Sequence, residues 1–372
     1  MRKVAVIFGG RSCENEISVL TGVFVLNLLD RGKYLPVPVY IHTDGEMYTS
    51  PNMTDLNIFR KKEYGQFQKV IFDGGSMYAF NPTKRKIKKL HTIDVALNCC
   101  HGGLGEGGGV SALMEWNNIP LASPDLTPSG VFMDKSLTKI VMRGLGVPTV
   151  DYIRVNERDY EKRGAFLLRR IENRLKYPVV IKPAHLGSSI GITVAHNEEE
   201  VKEGIERAFA LDCRVVIEKY LQNKKDVNCA AYALNGEIFV SDAESAFGEG
   251  VYSFEEKYIK RTQDGAVVKS GGMDGLSRDL REKIRTYTKT VYKRMDLRGA
   301  VRMDFLVSGN EVYLCEVNTV PGSLAYYLFC ERISDARTFF TDLLENAVQE
   351  ELANKKKILS TGILRTVRTF TK

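Results

Sequence analysis

The sequence lacks the residue patterns that build disulfide frameworks, zinc sites or membrane spans. Seven of its 372 residues are cysteine, and only Cys99 and Cys100 are close together, without a CxxC pair. The spacing of these cysteines and of the five histidines fits no structural zinc site. No apolar run approaches the roughly 18 residues of a membrane helix, and the run "VAVIF" near the start is too short for a signal peptide. We therefore expect a cytoplasmic protein with no membrane partner.

The net charge of +7 invites a nucleic-acid interpretation, but the distribution of that charge argues against one. Residues 353–372 contain no acidic side chain and carry six basic ones, which are Lys355, Lys356, Lys357, Arg365, Arg368 and Lys372. A basic terminus of this kind is more often solvated than used for recognition. We therefore expect no nucleic-acid partner and treat 353–372 as a basic tail. A polyanion-binding protein that uses this tail remains an alternative.

The length of the chain predicts two or three domains. In residues 1–133, short β-rich runs end in glycine and precede helical patterns, as in "DVALNCCHGG", which predicts a doubly wound parallel sheet. Within it, the prolines of "YLPVPVYI" favour a strand at the sheet edge or the entrance to such a strand. Residues 134–219 predict a small α+β domain, with two strands joined by a glycine turn. Residues 220–352 predict a second α+β domain, with a long helix after Ser277, its expected N-cap.

The hairpin predicted over "VRMDFLVSGNEVYLCEVNTVPG" carries polar side chains where a buried strand would be apolar. Arg302 and Asp304 lie two residues apart, as do Glu316 and Asn318, so each pair leaves one face of its strand. A cross-strand Arg–Glu pair on a solvated face would explain part of this pattern. Carboxylate and amide oxygens are also the ligands that Mg²⁺ prefers, usually together with a bound phosphate. We therefore predict a site for metal-bridged phosphates on this face.

The register of this hairpin decides whether the polar side chains emerge together. A loop centred on Gly309 places Arg302 opposite Glu316, and it places Asp304 opposite Leu314. All the polar side chains then share one face. A loop centred half a residue later would scatter them over both faces. We predict the first register.

A second glycine-rich segment, "KPAHLGSSIGI", could cover such a phosphate site. Lys182 ends the strand "PVVIK", and Gly187, Ser188, Ser189 and Gly191 form a turn whose N–H groups can approach anionic oxygens. It is not a Walker loop, because the lysine precedes the glycines and no GK[ST] helix follows. A simple hairpin turn is the alternative.

The segment "GGLGEGG" formally contains GxGxxG at Gly103, Gly105 and Gly108. The acidic ribose anchor expected about 20 residues later would be Asp125, which lies in a Ser-Pro-Asp loop rather than at the end of a strand. We therefore reject a dinucleotide site. His101, just before these glycines, is on its own more typical of a structural residue.

Taken together, these segments resemble the D-alanine–D-alanine ligase family of ATP-grasp enzymes over roughly residues 4–330. The motifs that carry the resemblance are, in order, "GGRSCENEIS", "HGGLGEGG", "MDKSLTK", "YPVVIKPAHLGSSIGI", "VVIEKYL", "EEKY", "VRMDF" and "EVNTVPG". The resemblance implies an N-terminal Rossmann-like pre-ATP-grasp domain, followed by two α+β domains that sandwich ATP. It also implies small amino acids as substrates.

For ATP, the resemblance implies phosphate contacts from two lysines, a closing glycine-rich loop, an adenine-binding strand end and a ribose contact. These residues are Lys135, Lys182, Gly187, Ser189, Gly191, Glu218, Lys219, Tyr220, Leu221 and Asp226. Asp304, Glu316 and Asn318 would hold two Mg²⁺ ions, with Mn²⁺ as an alternative metal.

For the amino acids, the resemblance implies that Glu14 pairs with the first ammonium group and that His101 lies near the first carboxylate. Arg302 and the N–H of Gly322 would stabilise the oxyanion formed at the acyl carbon. The remaining implied residues close the site or reach the acceptor, and these are Ser188, Tyr258 and Lys257.

The implied activity is ATP-dependent ligation, in which D-alanine is activated as an acyl phosphate and joined to a second D-alanine for peptidoglycan precursor synthesis. The sequence departs from the family pattern at Gly107, where an aspartate is usual, and at Tyr327, where a serine that binds the acceptor is usual. A different acceptor, such as D-serine, D-lactate or another amine, is therefore an alternative. So is a different contact to the acceptor carboxylate, for example from Lys257 or the Tyr327 hydroxyl. A nucleotide-binding regulator without catalysis is another. A homodimer through the apolar helix "VLTGVFVLNLL" also remains open.

Overall fold

The structure is a computed structural model that describes residues 1–245, 262–263, 266–267, 275–354 and 361–363. Lys257 and Tyr258, both assigned to the site from the sequence, lie outside the described residues, as does most of the basic tail. The described part of the chain forms three large sheets with helices packed against them. Among its helices, none has the length and apolarity that a bilayer crossing requires.

The N-terminal sheet is mixed rather than purely parallel. Its strand order is β6-β5-β4-β3-β2-β1-β7, and only β2, β1 and β7 pair in parallel. The other strands extend the sheet by antiparallel pairing. The strands are β1 (Arg2–Gly9), β2 (Tyr34–Ile41), β3 (Met47–Thr49), β4 (Gln68–Asp73), β5 (Ser76–Asn81), β6 (Lys86–Thr92) and β7 (Val95–Asn98). The helices of this part are α1 (Asn15–Leu28), α2 (Leu56–Arg60), α3 (Val110–Trp116) and α4 (Leu126–Met133).

Strand β2 lies inside the sheet, so the expectation of an edge position from its prolines is wrong. Pro36 and Pro38 pair with Val4 and Val6 of β1. On the other side, β3 pairs only with the end of β2, beyond the prolines. The short partner strand explains why prolines, which lack an N–H for a ladder bond, are tolerated there.

The central sheet has the order β10-β9-β11-β8 and carries two helices on one side. Its elements are β8 (Tyr152–Asn156), α6 (Glu157–Leu175), β9 (Val179–Pro183), β10 (Thr193–Ala195), α7 (Glu198–Phe209) and β11 (Arg214–Lys219). The predicted pair of strands around the glycine turn is confirmed as β9 and β10, which pair antiparallel. Apolar residues of α6 and α7 recur at helical spacing along each helix, and the apolar face that they form packs on the sheet.

The C-terminal sheet has the order β13-β12-β17-β18, with β14 added beside β12. Its elements are β12 (Lys225–Leu234), β13 (Glu237–Val240), β14 (Glu244–Ser245), α8 (Arg278–Arg294), β17 (Val301–Ser308) and β18 (Glu311–Asn318). A separate short pair, β15 (Thr262–Gln263) and β16 (Ala266–Val267), precedes α8. The predicted cap of α8 is confirmed, because the Ser277 side chain accepts a hydrogen bond from the N–H of Leu280.

Two packing features tie these sheets together. The last helix, α9 (Ala336–Asn354), and the turn Gly322–Leu328 share a core with α1 and β1 of the N-terminal sheet. Several apolar residues of α1 belong to this core, and Phe24 and Leu28 are partly buried against it. Helix α5 (Lys135–Gly144) places Met142 in the core of the C-terminal sheet. The division into domains at 133 and 219 stays a prediction.

Candidate functional site

The polar hairpin exists, but its register differs from the prediction. Arg302 lies opposite Asn318, and Asp304 lies opposite Glu316. The predicted pairs, Arg302 with Glu316 and Asp304 with Leu314, are wrong. All the polar side chains nevertheless emerge on one face, because each directly opposed pair of an antiparallel ladder shares a face.

A β-bulge at Cys315 reconciles the tight turn with this arrangement. Near the turn the ladder pairs Val307 with Val312, and the register shifts by one residue before it reaches Glu316. The extra residue turns the rest of the strand over, so that Val312 and Val317, an odd number of residues apart, lie in the same core. Without the bulge, Glu316 would point into that core.

The two carboxylates that face each other on this hairpin are balanced by cations. Arg302 donates to both oxygens of Asp304, at 2.7 and 2.8 Å, and Asn318 Nδ2 donates to Asp304 Oδ2 at 3.0 Å. Lys135, at the start of α5, places its Nζ 3.5 Å from Glu316. Burial raises the pKa of Glu316, but Lys135 and the nearby Lys182 more than offset this, and the pKa lies below its ordinary value. Glu316 is therefore ionised at neutral pH.

A buried ion triad adjoins this face. Glu218 lies 2.8 Å from the Nζ of Lys139 and 2.8 Å from the Nζ of Lys182, and all three side chains are almost completely buried. Burial raises the pKa of Glu218, but the two ammonium groups outweigh it and hold the pKa at about 2. Lys139 was not identified from the sequence. The motif "MDKSLTK" contains the signal, since Lys135 and Lys139 lie four residues apart on one helix face.

The glycine-rich loop after β9 reaches across to the N-terminal sheet. The Ser188 hydroxyl donates to a carboxylate oxygen of Glu14. A Cβ on Gly187 would lie only 2.8 Å from Glu14 Oε2, so the loop backbone passes close to this carboxylate. Lys135 Nζ donates to the Leu186 carbonyl at the base of the loop. The loop thus brings together two regions, around Glu14 and around Lys135, that lie far apart in the sequence.

A second network surrounds Val320, close to Gly322. His101 Nδ1 donates to the Val320 carbonyl at 2.7 Å, and Glu106 accepts from the Val320 N–H at 3.2 Å. The other nitrogen of His101 lies 2.8 Å from the hydroxyl of Thr21. Burial lowers the pKa of His101 to about 4, so the ring is neutral at pH 7. Burial raises the pKa of Glu106, which was not identified from the sequence, to about 7.

Comparison with known proteins identifies the family. The family model "D-ala D-ala ligase C-terminus" matches residues 141–349, and "D-ala D-ala ligase N-terminus" matches residues 3–124. The chain belongs to the D-alanine–D-alanine ligase family. A D-alanine–D-alanine ligase of Clostridium novyi is 34% identical over 323 residues, which cover 86% of this chain and 89% of that one.

Solved structures of ligases have the same fold. The D-alanine–D-alanine ligase of Helicobacter pylori has a TM-score of 0.74 and 26% identity, over 94% of this chain and 98% of that one. The ligase of Bacillus anthracis complexed with ATP has a TM-score of 0.64 and 22% identity, over 95% of this chain and all of that one. The predicted ATP-grasp fold and the predicted ligase class are thereby confirmed.

The residues assigned to adenine binding from the sequence lie at the end of β11 and just after it. The N–H of Lys219 donates to the Asp151 carbonyl at 3.0 Å, and the N–H of Tyr220 donates to the Pro178 carbonyl at 3.2 Å. The side chain of Glu218 is held by the ion triad. The N–H groups of Lys219 and Tyr220 and the carboxylate of Glu218 are thus engaged within the protein.

The residue assigned to the ribose, Asp226, lies on β12 and pairs with Lys224 at 2.6 Å. It shares a sheet face with Asn228, two residues along, and Asn228 lies directly opposite Asp304. Asn228 therefore adds an amide to the polar face, which sequence reasoning missed because the partner strand lies about 75 residues away.

The sequence departs most clearly from the family pattern at Tyr327. This residue is buried, and its hydroxyl accepts a hydrogen bond from Arg302 Nη1 at 3.0 Å. Just before it, Ser323, Leu324 and Ala325 all have φ between 51° and 55°, which is unusual for residues with a side chain. The hydrogen bond to Arg302 thus places the Tyr327 hydroxyl beside the polar face, and the strained turn sets the position of this side chain.

Proposed function

We propose that this chain is an ATP-dependent ligase that activates one D-alanine as an acyl phosphate and joins it to a second. The observation that carries the proposal is the convergence of Lys135, Lys182 and Arg302 on one face with Asp304 and Glu316. A carboxylate and a triphosphate are both anionic, and fixed cations offset the repulsion between them as phosphate is transferred.

We also propose that the reaction uses Mg²⁺, with Mn²⁺ as an alternative metal. Among the described residues, no cluster of three or more His, Cys, Asp or Glu side chains could hold a metal. Magnesium sites that include substrate phosphates need only one or two carboxylates. Asp304 and Glu316 oppose each other directly, a like-charge pair that requires cations between or beside it. Together with Asn318 they would hold the metal, which when bound neutralises charge on the phosphates.

The region around Glu14 is proposed to bind the first amino acid. Glu14 carries a negative charge that suits an ammonium group, and Ser188 ties it to the loop over the phosphates. Tyr258 is proposed to complete this closure and to exclude water, since an acyl phosphate hydrolyses readily. His101 is neutral with both ring nitrogens engaged, so near the first carboxylate we propose that it orients Val320 and Gly322 rather than contributing charge.

Product analysis tests the function directly. The chain is incubated with Mg-ATP and D-alanine, and phosphate release is followed together with mass spectrometry of the products. We expect ADP, phosphate and a D-alanyl dipeptide in equal amounts, and none of them with L-alanine. ATP binding without any product from a panel of D-amino acids would instead support a regulator, and the proposed function would be wrong.

Tyr327 is proposed to determine which acceptor binds. It would either bind the carboxylate of the second D-alanine or favour another acceptor. In Tyr327→Phe we expect the KM of the acceptor to rise by about tenfold or more, the effect of losing one hydrogen bond to a charged group. The KM of ATP should stay unchanged. Initial rates with D-alanine, D-serine and D-lactate measure both constants.

The neighbouring Tyr326→Phe is the matched control, because Tyr326 is equally buried and packs against Phe24. It should leave both constants near those of the unsubstituted protein. An unchanged acceptor KM in Tyr327→Phe would remove Tyr327 from the acceptor site. Lys257, proposed to reach toward the phosphate or the acceptor, would then be the next residue to test.

The proposal also covers the cellular location and the partners of the chain. A D-alanyl dipeptide made in the cytoplasm would supply peptidoglycan precursor synthesis. The substrates are small molecules, and neither nucleic acid nor membrane is expected to take part. Whether the chain acts as a homodimer stays a prediction, to be tested by light scattering.

A further inference from the structure

A cluster of four charged side chains lies at the base of the glycine-rich loop, outside the site described above. His185 Nδ1 lies 2.9 Å from Asp212 Oδ2, and His185 Nε2 lies 3.4 Å from Asp134 Oδ2. Arg214 Nη1 lies 2.9 Å from the same oxygen of Asp134. Asp134 caps α5, Asp212 precedes β11, and Arg214 is on β11. These are the charged groups that face His185 from the elements packed around it.

The charges of this cluster balance only when His185 is protonated. The carboxylates of Asp134 and Asp212 are almost completely buried, with side-chain exposures of 3% and 6%. Two buried negative charges with Arg214 as the single other cation would be costly. Hydrogen bonds to Asp134 and Asp212 raise the pKa of His185 to about 9, although burial opposes the shift. The imidazole is therefore a cation at neutral pH, with Nδ1 donating to Asp212 and Nε2 in an ion pair with Asp134.

The cluster is connected to the groups that would meet the phosphates. Asp134 accepts from the N–H groups of the first turn of α5, which fixes the direction of that helix. The next residue, Lys135, donates its backbone N–H to the Ala184 carbonyl at 3.0 Å and its Nζ to the Leu186 carbonyl. His185 lies between these two acceptors. Its side chain thus anchors the same short segment that Lys135 contacts on either side.

We propose that the protonated His185 is a positioning residue for nucleotide binding, because its paired carboxylates join the base of the glycine-rich loop to the start of α5. The loop and Lys135 then face the phosphates as one unit. Loss of the positive charge would leave the two buried carboxylates of this cluster with only Arg214 to balance them, and would loosen this joint. The inference rests on the proposed function only in taking ATP as the nucleotide, and it concerns binding rather than the chemical step.

The test measures the affinity for Mg-ATP by calorimetry from about pH 7 to about pH 10, without any amino acid. A group with a raised folded pKa keeps its interaction below the unfolded value and loses it as the pH rises through the folded value. We therefore expect the Kd of the unsubstituted protein to rise between about pH 8 and about pH 10, by about tenfold for one charged hydrogen-bonding contact.

Two variants separate His185 from other groups that titrate in this range. His185→Gln keeps hydrogen bonding without charge, so its Kd should be about tenfold higher already at neutral pH and respond little to pH. His185→Arg keeps the charge at every pH, so it should bind nearly as the unsubstituted protein does at neutral pH and should lack the rise. His196→Gln is the matched control, because His196 lies between β10 and α7 and forms an exposed pair with Glu200 at the start of α7. It should behave as the unsubstituted protein.

Normal affinity in His185→Gln at neutral pH, or an undiminished rise in His185→Arg, would overturn the inference. If His185→Gln does not fold, the pH profiles of the unsubstituted protein and of His185→Arg decide the question alone. Binding that depends on His185 without dipeptide formation would contradict the proposed ligation but not this inference. Dipeptide formation with an ATP affinity insensitive to His185 would contradict only the inference. A chain that binds no ATP would contradict both.

Discussion

A Glu218→Ala variant should lose on the order of 3–5 kcal/mol of unfolding free energy, the cost of breaking a buried ion pair by removing one partner. Glu218 is the only carboxylate within salt-bridge distance of Lys139 in the part of the chain that the structure describes. Its removal leaves Lys139 and Lys182 buried beside each other without that compensating charge. Urea denaturation followed by circular dichroism measures the loss.

Glu203→Ala is the matched control, because Glu203 forms a surface ion pair with Arg207 on α7 of the same sheet. Such exposed pairs contribute about 0–1 kcal/mol, so this variant should stay close to the unsubstituted protein. Equal stability of Glu218→Ala and Glu203→Ala would show that the triad does not hold the central sheet to α5.

Acid should weaken the unsubstituted protein in a range set by the same carboxylate. The pKa of Glu218 falls from an ordinary 4.5 to about 2 in the folded state. A depressed folded pKa contributes stability that is fully present above the unfolded value and is lost as the pH falls through the folded value. Unfolding free energy should therefore decrease from about pH 5 to about pH 2, and Glu218→Gln should lack this component of the decrease.

An apolar replacement of the whole triad separates stability from binding. Lys139→Met, Lys182→Met and Glu218→Leu together remove all three buried charges, and such exchanges are often neutral or stabilising. We expect the triple variant to recover the stability that Glu218→Ala loses, yet to bind ATP poorly because it lacks Lys182. That outcome would mean that the buried charges are present for the nucleotide rather than for folding.

The polar face of the hairpin was predicted from the sequence only in part. The alternation of Arg302 with Asp304, and of Glu316 with Asn318, is a local pattern with period two, and it correctly places these side chains on one face. The bulge at Cys315 has no local signature, because a single inserted residue resembles any other apolar strand residue. The prediction of a shared face was therefore correct although the register on which it was based was wrong.

Contacts across the fold were harder to predict than local elements. The carboxylate of Glu106 has no visible role in "HGGLGEGG", because its partner Val320 lies more than 200 residues away. His185 likewise acquires its charge from Asp134 and Asp212, which belong to other elements. The antiparallel half of the N-terminal sheet escaped prediction because β6 is exposed and mostly polar, while β4 and β5 do not alternate strictly between buried and exposed positions. These strands therefore carry little periodic signal.

Glu316→Gln should lower kcat/KM for D-alanyl dipeptide formation by about 10²–10³-fold or more, the range found when one preorganised group that stabilises developing charge is removed. The side chain keeps its length and hydrogen-bonding oxygen but loses the negative charge that a divalent cation requires. Glu316 is ionised in the folded protein because Lys135 and Lys182 offset the effect of burial on its pKa. The substitution therefore removes a charge that is present at neutral pH.

Glu311→Gln is the matched control, since Glu311 is exposed on the same strand and lies 3.9 Å from Lys283. It should retain full activity. Both variants are first tested by thermal unfolding, because Glu316→Gln also leaves Lys135 without its carboxylate partner. A folded Glu316→Gln variant that ligates at the normal rate, with an unchanged Mg²⁺ requirement, would exclude a metal at Asp304 and Glu316. A folded variant that still binds ATP but no longer ligates would place the function of this carboxylate in the transfer of phosphate rather than in holding the nucleotide.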